Sequence, residues 1–134
     1  MGKVVLQRRT RSGKIDVLGV KFTDTPPWAL TCINLAPRIV SHFKSDDLFD
    51  CLLQLRHENE QQGAQIICAG ARLDVYPSRM SREMGGGRKA YVLTPGQHAR
   101  ADDLVDIFGE AGENTVGSVE AQKAWFEAWL RSLQ

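Results

Sequence analysis

The stretch Ser45 to Ala69, SDDLFDCLLQLRHENEQQGAQIICA, decides the fold class. Ser45 can cap free N–H groups at a helix start, and Asp46 and Asp47 fall in the first turn, where the helix dipole favours carboxylates. Leu48, Leu52 and Leu55 recur at helical spacing, and Phe49 and Leu53 widen the apolar stripe. The polar end, RHENEQQ, is expected to face water, and Gly63 is placed to end the helix. Gln65 to Ala69 is a compact apolar run that reads as a buried strand. The spacing predicts a helix over residues 45–62, a glycine turn and a strand, so sheet and helix share one core.

Upstream, KVVLQR (Lys3–Arg8) and IDVLGVKF (Ile15–Phe22) read as strands joined by RTRSGK, a hairpin. Gly19 interrupts strict alternation and is a possible bulge. Pro26 and Pro27 break the pattern, WALTCINL (Trp28–Leu35) reads as a further strand, and Pro37 closes it. Downstream, Tyr76-Pro77 favours extended backbone, and Ser78 can cap a short helix through Met84 that Gly85, Gly86 and Gly87 end. AYVL (Ala90–Leu93) is a strand stopped by Pro95-Gly96, ADDLVDIF (Ala101–Phe108) reads as a short helix, and Ser118 caps a last helix to Leu133. The expected architecture is α+β or α/β: one domain over residues 1–134, a mixed or mostly antiparallel sheet of four or five strands, and main helices over 45–62 and 118–133. The expected core includes Leu48, Leu52, Ile66, Ile67, Val92, Phe126, Trp129 and Leu130.

Composition bounds the function. In 134 residues, 43% are apolar and 25% charged, which argues for a packed globular chain rather than disorder. A net charge of +1 gives no global pull toward nucleic acid or membrane. The charge is segregated, however. Residues 1–44 carry eight basic and two acidic groups, and residues 101–134 carry two and seven. Such blocks either neutralise one another in the fold or remain as separate patches for partners. Cys32, Cys51 and Cys68 lie in apolar contexts without any CxxC spacing, so they read as small buried residues rather than disulfides or zinc ligands. No apolar run approaches a membrane span, and a reducing cytoplasm is the expected compartment.

The segment Cys68–Leu93, CAGARLDVYPSRMSREMGGGRKAYVL, holds the functional signals. Its glycine triplet with Arg88 and Lys89 could cradle an anion, and residues 72–91 then form an anion- or small-ligand-binding module or an enzyme pocket. The triplet lacks the Ser or Thr and the following helix of a P-loop, so a strand entry with positive φ is the competing reading. Arg72, Tyr76, Arg79, Arg82 and Arg88 together have the composition of a protein-binding anchor, or of a basic face paired internally to Asp74 and Glu83. No catalytic residue, metal site or cofactor is expected: His42, His57 and His98 are scattered, and Ser78 and Ser81 lack a nucleophile-elbow context.

The run LLQLRHENEQQGAQIICAGARLDVYPSRMSREMGGGRKAYVL, residues 52–93, resembles a family of small bacterial proteins that includes immunity proteins of contact-dependent growth inhibition and related polymorphic toxin systems. VEAQKAWFEAWLRSL resembles the C-terminal helix of that family, so the likeness covers roughly residues 45–134. Arg79 stands where the family pattern has glycine. The resemblance implies a cytoplasmic, non-enzymatic protein that binds the C-terminal domain of one cognate toxin, a nuclease among the candidates, without contacting nucleic acid or membrane itself. Two surfaces are candidates for that contact. One is the basic segment with Arg72, Tyr76, Arg79, Arg82 and Arg88. The other is the acidic stretch with Asp102, Asp103, Asp106, Glu110 and Glu113, which suits a basic toxin.

Overall fold

The computed structural model describes residues 1–35 and 37–134. The chain begins as an antiparallel meander of β1 (Gly2–Arg9), β2 (Ile15–Phe22), β3 (Trp28–Leu35) and β4 (Arg38–Ser45). Alternation places Leu6, Leu18, Val20, Leu30 and Cys32 on one face, where all are buried. Helix α1 (Leu48–Gln61) lays Leu48, Leu52 and Leu55 on that face, and Gly63 turns the chain with φ +77°. β5 (Gln65–Ile67) then pairs antiparallel with β1, giving the order β4-β3-β2-β1-β5.

β6 (Val75–Tyr76) is followed by the short helix α2 (Arg79–Gly85) and by β7 (Lys89–Val92) and β8 (Leu104–Asp106). These three strands form a second antiparallel sheet, β6-β7-β8. Helix α3 (Val119–Ser132), capped by the Ser118 hydroxyl, packs against α1 and β6. The fold is α+β, as expected, with a five-stranded and a three-stranded antiparallel sheet around one apolar cluster that runs from Leu6 to Phe108.

Several expectations need correction. β4 was not foreseen, because most of its side chains are exposed and leave no apolar rhythm. Asp47, not Ser45, caps α1; Ser45 ends β4 and donates to the Asp50 carboxylate. Gly19 makes no bulge, since the β1–β2 register runs unbroken through Val5 and Gly19. Residues 101–108 are not a helix: a single 3-10 turn at Ala101–Asp103 leads into β8, whose ladder with β7 overrides the local helical spacing. Of the expected core, Val92 and Phe126 are only half-buried, and Leu130 is 44% exposed. The inward face of α3 is formed by Gln122 and Trp129. The end of α1 does not simply face water either, because Arg56 and Asn59 are buried.

Candidate functional site

The segment from Cys68 to Leu93 is tied to the rest of the chain almost residue by residue. Arg56 of α1 reaches it through the interior, donating to the Gly70 carbonyl at 3.3 Å, the Gly117 carbonyl at 3.0 Å and Gln122 Oε1 at 2.6 Å. The amide of Gln122 donates in turn to the carbonyls of Gly70, Arg72 and Val75 at 2.8–2.9 Å. Two polar side chains thus satisfy backbone acceptors along a buried stretch that is irregular until β6 begins at Val75. Burial pushes the Arg56 guanidinium below its ordinary value.

α2 is anchored at both ends. The Ser78 hydroxyl accepts from the Ser81 N–H at 3.0 Å. At the other end Gly86 adopts φ +68° and Gly87 φ +70°, the left-handed conformation that glycine admits. The Gly86 carbonyl accepts from the N–H groups of Leu48 and Phe49, at 2.6 and 3.3 Å, so the end of α2 caps the start of α1. The N–H of Gly87 donates to the Ser81 carbonyl and that of Arg88 to the Gly85 carbonyl. These donors are therefore turned into the fold, and the glycine triplet is a helix stop and strand entry rather than an anion cradle.

The candidate side chains divide by the partners they hold. Arg72 clasps Asp74 through two bonds of 2.9 and 2.8 Å. Arg82 donates to Asp47 at 2.9 Å and lies over the Phe49 ring. Arg88 pairs with Asp106 at 3.0 Å and lies over the Phe22 ring. Arg79 is the most exposed of them, joined among the described residues to Glu83 one turn on at 3.2 Å. The two candidate surfaces therefore touch at Arg88 and Asp106. Asp106 also accepts from the Phe108 N–H, and Glu113 pairs with Arg9 at 2.9 Å. Asp102, Asp103 and Glu110 make no ion pair among the described residues.

Between α2, the start of α1 and α3 lies an open groove of about 410 Å³. Its floor is Tyr76, Pro77 and Phe126; its walls carry Asp46, Arg79, Arg82 and Glu83. Tyr76 stacks on Phe126 with ring centroids 4.1 Å apart and planes 10° apart, and Phe49 meets Tyr76 edge-on at 5.1 Å. On α2, one turn apart, Met80 and Met84 are 69% and 80% exposed. An aromatic floor, a rim of both charges and two flexible thioethers suit contact with a protein surface.

Of the sequence candidates, Tyr76, Arg79 and Arg82 come together here, whereas Arg72 and Arg88 serve internal pairs. Sequence reasoning missed Phe126 as a groove residue and missed the Arg56–Gln122 pair. A signal existed for Arg56: it stands four residues after Leu52, on the apolar stripe, where a solvated arginine does not belong. No helix among the described residues is long and apolar enough to cross a membrane. No protein-family model matches the chain, and no curated protein matches it.

Proposed function

We propose that this chain is a cytoplasmic immunity protein that binds a toxin domain in the groove beside α2 and neutralises it without chemistry of its own. The observation that carries this reading is the stacked Tyr76–Phe126 floor rimmed by Asp46, Arg79 and Glu83, on whose bordering helix α2 Met80 and Met84 are also exposed. The segment that resembles immunity proteins supplies Tyr76 to the floor of the groove and α2, ended by its glycine stop, to one wall. Interface energies concentrate in a few desolvated anchors surrounded by a polar rim, and Tyr76 and Phe126 with Arg79, Glu83 and Asp46 have that arrangement.

The reading predicts a toxin gene beside this one, and the test uses the C-terminal domain of its product. The parent protein should form a one-to-one complex in calorimetry and protect cells that express the domain. Met80→Asp with Arg79→Glu should weaken binding at least about tenfold and abolish protection, with an unchanged melting temperature. Equal binding by parent and variant overturns the groove assignment. Failure of the parent to bind or protect overturns the immunity reading. The groove volume also falls in the range of small-ligand sites. A rise in melting temperature with an anionic metabolite, lost in Arg79→Glu, would instead favour a ligand-binding module.

A further inference from the structure

Among the described residues no helix or strand covers the face of the five-stranded sheet turned away from α1 over β1 to β4; the 108–111 segment reaches it only beside Val5, Gln7 and Val17. Its register sorts the side chains into transverse rows. Val5 pairs with Gly19, Gly19 with Ile33, and Ile33 with Val40, an apolar row crossing all four strands. The adjacent row runs Lys3, Lys21, Thr31, His42, and Lys44 follows one position further along β4. Arg38 closes the other side of the apolar row on the same strand. Val5 is 66% exposed and Val40 41%.

Lys3, Lys21, Arg38 and Lys44 make no ion pair among the described residues. No strand position on this face of β1 to β4 is a carboxylate. Asp16 points the other way, held by Arg8; the carboxylates that approach are Glu110, beside Val5 and Val17 at the β1–β2 side of the row, and Glu113, already paired to Arg9. Lys3 and Lys21 are directly opposite on paired strands, a like-charge arrangement that costs stability. A sheet face that merely needed solvation would relieve it with one glutamate.

We propose that this face docks an acidic protein surface, its carboxylates meeting Lys3, Lys21, Arg38 and Lys44 and its apolar centre covering the Val5–Val40 row. The inference does not depend on the groove reading and uses none of its residues. A second copy of the chain is disfavoured because the cations would face one another. Single-stranded nucleic acid is disfavoured because stacking on a sheet uses aromatic rings, and phenylalanine, tyrosine and tryptophan are absent from this face. A membrane surface calls for large side chains that insert together, where this face offers a row of valine and isoleucine with Leu35 apart at its Arg38 corner; the vesicle probe tests that source.

The experiment is an amide-shift titration of the full chain with a short peptide whose leucine and valine centre is flanked by glutamates. An oligodeoxythymidylate and phosphatidylglycerol vesicles serve as parallel probes. The expected result is shifts confined to β1–β4 with the peptide, weakened at least about tenfold by Lys21→Glu with Lys44→Glu and by raised salt. The same variant should melt no lower than the parent, because Lys21→Glu converts a like-charge pair into an attractive one. Val5→Asn should weaken the peptide without altering salt dependence. Tighter binding of the oligonucleotide or the vesicles, self-association through this face, or no shift with the peptide would each overturn the proposal.

Discussion

Arg56 brings a charge into the interior that no carboxylate meets among the described residues; carbonyl oxygens and one glutamine hold it instead. Removing it takes the donor from the Gly117 carbonyl and Gln122 Oε1, while the Gly70 carbonyl keeps only Gln122. Arg56→Ala should therefore cost about 3 kcal/mol or more in urea unfolding, and Arg56→Lys should not restore it, since an ammonium lacks the guanidinium's fork. A second residue-scale prediction concerns pH. The hydrogen bonds and charge of Arg8 hold the Asp16 carboxyl below its ordinary value near 3.8. A lowered folded value means stability present above the unfolded value and lost as pH falls through the folded one. Because the pair is partly open to water, Asp16→Asn should cost only about 0.5–1 kcal/mol at neutral pH. Denaturation across a pH series should show that difference fading below about pH 4. The three cysteines carry no such pH lever near neutrality, because burial pushes each thiol up to about 11.

At the scale of elements, the junction between α1 and α2 governs the groove. Asp47 caps α1 with one carboxylate oxygen and receives Arg82 with the other. Asp47→Ala should destabilise by about 1–2 kcal/mol and loosen α2. Gly86→Ala should cost at least about 1 kcal/mol, because φ is +68° and a Cβ would stand 2.7 Å from the Trp28 ring. Thermal melts of both variants check this. Leu52→Ala, at 0% exposure, should cost about 2–5 kcal/mol, whereas Leu130→Ala should cost under about 1.

The helices and the first hairpin were legible in the sequence because Leu48, Leu52 and Leu55, and the alternation through β1 and β2, follow one period each. β4 was not, because water bathes most of it. Ala101–Phe108 misled because four apolar residues in eight satisfy helix and strand alike, and pairing with β7 decided between them. Of the site, the Arg72–Asp74 clasp two residues apart was readable, while Arg82 meeting Asp47 across 35 positions was not.

For the whole molecule, the alternating charge blocks acquire a spatial meaning. Four cations of the first block, Lys3, Lys21, Arg38 and Lys44, stand on the outer face of the sheet. Helix α1, which carries Asp50, Glu58 and Glu60 against the one buried Arg56, covers the other face, behind Asp46 and Asp47 at its start. The two faces of the sheet therefore differ in charge although the net charge is only +1. Its behaviour on a charged resin should follow the face it presents, not its total. The parent should be retained by a cation exchanger at neutral pH and low salt, oriented sheet-down. Lys21→Glu with Lys44→Glu, which changes one face alone, should pass through unretained.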